Sequence, residues 1–309
     1  MPRRFQADLA LAFCSLIWGA TFVLVKDALA SASVFVFLAL RFALATATLA
    51  LLHRARLRGI DRRSLEAGAL IGWFMFSGYA LQTIGLQYTT PSKAAFITSS
   101  CVVMVPVFQA VFGRKRANGW VWAGAGAALA GLYLLTVPRA GLGGLNAGDL
   151  WVLACAVMWA FHILVVGHFS PRHSAGGLTF VQVAVAGALT ALFLPLLAGA
   201  GWEAPRLRWT GMLLVAVAVT AVGSTAIAFS LQMWAQKFAA PAHVAILFSL
   251  EPVFAALTSA ALYGERLAPR ALAGAALVLA GVLAAELRSP PAAAPEAAIS
   301  GEGLREAAE

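Results

Sequence analysis

The feature that most limits what this chain can fold into is a series of long apolar stretches in which charges scarcely occur. They lie near residues 8–25, 33–52, 65–87, 92–112, 119–137, 149–167, 176–198, 209–233, 242–262 and 269–286. A helix rises ~1.5 Å per residue, so about 20 apolar residues cross the ~30 Å of hydrocarbon in a bilayer. With 61% hydrophobic and 11% charged residues, a soluble fold could not hide this apolar surface. Strict two-residue alternation is absent, which argues against a β-barrel and predicts an all-α membrane protein with ten transmembrane helices.

The second half of the chain repeats the first at a spacing of about 150 residues. Tyr79-Ala80-Leu81-Gln82, Pro91 and Ala95 recur as Phe229-Ser230-Leu231-Gln232, Pro241 and Ala245. Gly124 and Gly131 recur as Gly274 and Gly281, while Cys14 and Trp18 correspond to Cys155 and Trp159. A unit of five spans is odd, so its second copy enters the membrane upside down. The expected organisation is residues 1–138 and 149–288 as two inverted five-helix repeats, followed by a disordered cytoplasmic tail over 289–309. Inverted repeats of this kind place a binding site at the bilayer midplane and open it alternately to either side.

The formal net charge of +9 would suit nucleic acid, but the basic residues are distributed as topology requires. Arg3, Arg4, Arg54, Arg56, Arg58, Arg62, Arg63, Arg114, Lys115 and Arg116 all fall on one side if both termini are cytoplasmic. This bias predicts an N-in, C-in protein of a bacterial-type plasma (inner) membrane, with the lipid bilayer and not nucleic acid as its partner. No small-residue cleavage site follows the first span, which reads as an uncleaved helix. Cys14, Cys101 and Cys155 lie within spans as small apolar packers, so neither a disulfide nor a metal site is expected.

The candidate functional residues are those that a lipid-facing helix would not choose. Trp18 and Trp159 stand ~15 Å deep, far from the interfacial belt that tryptophan prefers, and helical spacing sets Thr21 beside Trp18 and His162 beside Trp159. They form either an aromatic-walled cavity with a hydrogen-bonding rim or a packed interface between repeats. Arg41 and Glu251 interrupt the second and ninth spans near mid-membrane, where a charge costs ~2.5–3.5 kcal/mol and seeks a partner or water. Two readings follow. One is a structural ion pair between them, and the other is functional, with Glu251 exchanging a proton or Arg41 holding a substrate carboxylate. Gln82 and Gln232 add neutral hydrogen-bonding capacity, and Tyr79 can present its hydroxyl to the same space. Ser99, Ser100 and Ser249 are expected to bond back to their helices. His243 and its counterpart Lys93 are expected at the membrane interface.

Pro106 and Pro252 should kink the fourth and ninth helices, about one turn out of register between the repeats. The glycines at 124, 131, 274 and 281 suit close helix packing or a homodimer face.

Several stretches together carry a family resemblance over positions 8 to about 288. They are Trp18-Gly19-Ala20-Thr21-Phe22, Leu40-Arg41-Phe42, Gln87-Tyr88-Thr89-Thr90-Pro91, and Ser249-Leu250-Glu251-Pro252-Val253-Phe254 with Gly264-Glu265-Arg266. The chain resembles EamA-type members of the drug/metabolite transporter superfamily, although Arg114 stands where the first repeat usually carries an acid like Glu265. The resemblance implies a cavity lined by spans one, three, four, six, eight and nine, with spans five and ten set apart. It also implies a secondary transporter of small metabolites, either an exporter or a facilitative carrier. Neutral or aromatic amino acids suit the tryptophan walls. An exchanger of phosphorylated sugars or nucleotide sugars, or a non-transport membrane subunit, is the alternative. No cofactor is expected and no enzyme motif is evident. The partner is a small-molecule substrate, and the chain is read as a monomer or homodimer.

Overall fold

The structure is a computed structural model that describes residues 3–57, 59–113, 117–137, 141, 146–263 and 268–288. The expected tail over 289–309, the Gly264-Glu265-Arg266 stretch and Arg114 lie outside the described residues. What is described is all-helical apart from one isolated β-bridge between Ala32 and Leu207. The elements are α1 (Arg3–Ala28), α2 (Val34–Leu57), α3 (Arg62–Tyr88), α4 (Pro91–Ser99), α5 (Cys101–Gly113), α6 (Gly119–Thr136), α7 (Ala147–Phe169), α8 (Ala175–Gly199), α9 (Gly211–Ala218), a π-helical segment (Val219–Ile227), α10 (Ala228–Ala235), α11 (Pro241–Phe248), α12 (Glu251–Tyr263) and α13 (Pro269–Arg288). Among the described residues, 9 helical stretches are long and apolar enough to cross a bilayer, which makes this a multi-pass membrane protein. The remaining apolar helix, Pro269–Ala285, is shorter.

Local sequence sets many of the helix starts. Asp61, Thr90, Asn118, Asn146 and Thr210 each accept a backbone N–H of the turn that follows, one of the donors left over at a helix start. At Asn146 the capping is reciprocal, because the Asp149 carboxylate accepts the Asn146 N–H at 2.9 Å. Hydrogen bonds from Ser64 hold the Asp61 carboxyl below its ordinary value. The cap is therefore fully formed above the usual carboxylate range and weakens as pH falls through it.

Packing between the halves follows a two-fold rule. Helix α1 packs on α10 and α12 as α7 packs on α3 and α5, while α2 packs on α8 and α6 on α13. A Cβ placed on Gly124 would lie 2.7 Å from the Gly281 carbonyl oxygen, and one on Gly131 would lie 2.6 Å from that of Gly274. Glycines that correspond in sequence thus cross-pair in space, and α6 and α13 run antiparallel. Helices α2 and α8 are also antiparallel, since Gly187 abuts Phe42 and Gly176 abuts His53. The glycine pairs therefore serve close packing inside one chain.

The breaks in the fourth and ninth spans differ from the expectation placed on the prolines. They fall at Ser100, between α4 and α5, and at Ser249-Leu250, between α11 and α12. Ser100 Oγ donates to the Ile97 carbonyl at 2.6 Å and Ser249 Oγ to that of Ile246 at 2.6 Å, satisfying carbonyls that the helix gives up. The two breaks are in register across the repeat. Pro252 is the second residue of α12, where its missing N–H costs nothing, whereas Pro106 lies inside α5.

Candidate functional site

A cavity of about 90 Å³ lies between the halves, enough for several waters or a small polar group. It gathers Trp18, Thr21, Arg41, Tyr79, Gln82, Trp159, His162, Gln232 and Glu251 into one space. Pro106 and Pro252 are not among its lining residues. Most of the lining comes in corresponding pairs. Trp18 corresponds to Trp159 and Thr21 to His162 at a sequence offset of 141, while Tyr79 with Phe229, Gln82 with Gln232, Thr98 with Phe248 and Cys101 with Glu251 share the offset of 150. No described residue of α6 or α13 reaches the cavity.

The walls are aromatic. Trp18 meets Phe248 edge-on with centroids 4.9 Å apart and lies 5.2 Å from Phe229. Trp159 meets Tyr79 edge-on at 5.0 Å and His162 at 5.3 Å, and it stacks on Phe229 at 6.1 Å. Such edge and offset contacts fix the ring planes beyond what apolar burial alone would do.

Arg41 is 2% exposed. Its Nε donates to Thr225 Oγ1 at 2.8 Å, and its Nη2 donates to Tyr79 Oη at 2.8 Å and Ser224 Oγ at 2.9 Å. The guanidinium also lies 4.2 Å from the centroid of the Tyr79 ring. These acceptors are neutral, and among the described residues no ion pair joins Arg41 to Glu251 in this conformation. Glu251 opens α12 in mid-span, half-buried and facing the cavity, where the free N–H groups of a helix start favour negative charge.

The acceptors for Arg41 are supplied by a departure from α-helical winding. Residues Val219–Ile227 wind as a π-helix, with Thr225 Oγ1 donating to the Thr220 carbonyl at 2.9 Å. Wider winding displaces carbonyls from the regular ladder. The Ser224 carbonyl takes the Trp18 indole N–H at 2.8 Å. One segment thereby anchors both the cation and a tryptophan.

The remaining polar residues are held less tightly. His162 Nε2 lies 3.0 Å from Gln182 Oε1, and its Nδ1 has no hydrogen-bond partner among the described residues. Gln232 Nε2 donates to Gln236 at 2.8 Å while its Oε1 is unsatisfied, and Gln82 reaches Thr98 only at 3.4 Å. Thr21 Oγ1 donates to the Trp18 carbonyl. Sequence reasoning missed Ser224, Thr225 and Gln182. A Gly-Ser-Thr run inside an apolar span was their signal, and Gln182 stands where Arg41 would recur at an offset of 141.

Comparison with known proteins adds a family. The EamA-like transporter family matches twice, over residues 6–137 and 146–286. An uncharacterized transporter of Archaeoglobus fulgidus is 35% identical over 291 residues, covering 93% of this chain and 87% of its own. The uncharacterized transporter YvbV of Bacillus subtilis is 27% identical over 236 residues, covering 71% and 72%. A solved crystal structure superposes with a TM-score of 0.74 at 21% identity over 91% of this chain and 98% of that one, a likeness of fold.

Proposed function

Because the chain belongs to the EamA-like transporter family, we propose that it carries small metabolites, neutral or aromatic amino acids foremost, across a bacterial-type plasma membrane. The carrier works by alternating access. Residues 1–138 and 149–288 form two inverted five-helix repeats with both termini cytoplasmic, and α13 is the tenth span. The observation that carries this reading is the cavity itself, walled by corresponding residues of both halves. A rocking motion of one half against the other then exposes the same side chains to either face.

Within the cavity Trp18, Tyr79, Trp159 and Phe229 hold the apolar part of the substrate. Arg41 takes its carboxylate, because its Nη1 has no hydrogen-bond partner among the described residues and its guanidinium is the only Lys or Arg charge among the described lining residues. Glu251, without an ion pair among the described residues, takes the substrate ammonium or a coupling proton. Thr21, Gln82, His162 and Gln232 supply neutral hydrogen bonds around them. One arginine and a cavity of about 90 Å³ suit a small zwitterion better than a phosphorylated or nucleotide sugar. Uptake of an amino-acid panel into proteoliposomes, with and without a pH gradient, tests the reading. Arg41→Gln should abolish uptake while leaving folded protein in the membrane. Folded wild-type protein that takes up no amino acid would turn the assignment toward other metabolites or a role outside transport.

A further inference from the structure

Two ion pairs outside the cavity occupy equivalent places in the two halves. Lys93 Nζ, at the start of α4, lies 2.6 Å from Asp149 Oδ2, at the start of α7. His243 Nε2, at the start of α11, lies 3.0 Å from Asp8 Oδ1, in the second turn of α1. Lys93 and His243 are separated by the offset of 150, and Asp8 and Asp149 by the offset of 141 that relates Trp18 to Trp159. The second pair is thus the two-fold image of the first, and each joins one half of the molecule to the other.

The pairs stand at opposite ends of the cavity. Lys26 Nζ, near the end of α1, donates to the Leu86 carbonyl at 2.7 Å, and the neighbouring Gly85 abuts Gly148 at the start of α7. Asp149 therefore lies beside the end of α1, and Asp8 lies near its beginning, about 27 Å away along the helix. Packing differs between the ends. Every residue from Ala242 to Phe248 is buried, whereas its image in α4 is largely half-buried, and the cavity extends past Val25 and Leu86 toward the Lys93 end. With both pairs formed, the Asp8 end is the more tightly sealed one, and Ser15 Oγ there also donates to the Leu247 carbonyl at 3.2 Å.

The two images differ in one chemical respect. Lysine keeps its charge throughout the physiological range, while histidine changes charge between about pH 5 and 8. We infer that Asp8–His243 and Lys93–Asp149 are paired clasps closing the two ends of the pathway, and that the Asp8–His243 clasp alone is released by deprotonation. The inference rests on the alternating-access reading above. As pH falls, His243 gains its charge and its hydrogen bond to the Asp8 carboxylate becomes an ion pair, which is stronger. Acid therefore holds the Asp8 end closed and alkali frees it, with the other end unaffected.

Among the charged and titratable groups on the described parts of the elements around α11 are the following. Helix α1 brings Asp8, with Arg4 one turn earlier and Arg3 over the Phe238 ring. Helices α5 and α6 carry no charge in their described residues. Helix α7 brings His162, His168 and the distant Asp149, α13 brings Arg270, and Lys237, before α11, donates to the His173 carbonyl.

The chain carries its own reporters. Cys14 and Cys155 are corresponding buried thiols, six residues beyond Asp8 and Asp149 respectively. The experiment is N-ethylmaleimide labelling of the purified full chain in liposomes, with each cysteine quantified by mass spectrometry. The Cys14 to Cys155 labelling ratio cancels the general effect of pH on thiols. It should rise about fivefold between about pH 5.5 and pH 8, the effect of losing the attraction of one ion pair. His243→Lys should hold the ratio low and flat, and Asp8→Asn should raise it and flatten it. A flat wild-type ratio, complete protection of Cys14 at both pH values, or a slope that survives in His243→Lys would overturn the inference. Failure to transport any metabolite would instead remove the carrier reading, and the ratio can be measured without substrate.

Discussion

Arg41 is the residue on which the site turns, because a guanidinium in mid-membrane persists only where acceptors are built for it. Thr225 and Ser224 supply two of them, and removing one strands a donor in a buried place. Thr225→Val should therefore destabilise the protein by about 2 kcal/mol, within the usual cost of an unsatisfied buried partner. Thr190 provides the control. It is 0% exposed but bonds only the Ala186 carbonyl of its own helix, so Thr190→Val should leave the melting temperature in detergent within about a degree. Equal losses in both variants would mean that the Arg41 network does not hold this part of the fold. Sequence alone placed Arg41, Trp18 and Trp159 at matching depth and brought Tyr79 and Gln82 to the same wall. It pointed Arg41 toward Glu251 as a possible partner, whereas the arginine is satisfied by hydroxyls on a π-helical segment. Charge complementarity can be read from residue types, but the winding that aims Ser224 and Thr225 cannot.

At the scale of elements, α6 and α13 show how tightly the halves meet. Any side chain at Gly131 or Gly274 would have to displace a carbonyl of the facing helix. Gly131→Leu should lower stability by about 1–3 kcal/mol, as overpacking does. Gly126, on the same helix with nothing near a Cβ, should accept alanine with a gain of about 0.5–1 kcal/mol. Detergent melts of the two variants check the pair, and a Gly131→Leu protein as stable as wild type would refute the close approach. The breaks at Ser100 and Ser249-Leu250 make a second element-scale point. Proline in an apolar span signals a bend, yet a serine hydroxyl that satisfies its own helix marks where these helices stop. That choice depends on what packs around the break, which sequence spacing does not report.

At the scale of the whole molecule, the two halves meet through corresponding helices, and the alternating access proposed above requires them to part at one end. Replacing Asp8 and His243 with cysteines, with Cys14, Cys101 and Cys155 changed to alanine, should allow a disulfide that locks the sealed end. Oxidation should stop uptake and reduction restore it, whereas full uptake by the crosslinked protein would rule out rocking at that end. The sequence by itself determined the class of protein, because long apolar runs leave the backbone no option but helices across lipid. It also determined the repeat and about half of the residues of the cavity wall, since both are written in spacing and in residue types that avoid lipid. The tertiary structure decided which corresponding residues cross-pair, which hydroxyls satisfy Arg41 and that the two clasps stand at opposite ends. Those outcomes depend on helices far apart in the chain, such as those of Arg41 and Thr225 or of Asp8 and His243, approaching within hydrogen-bonding distance, and no local pattern encodes that approach.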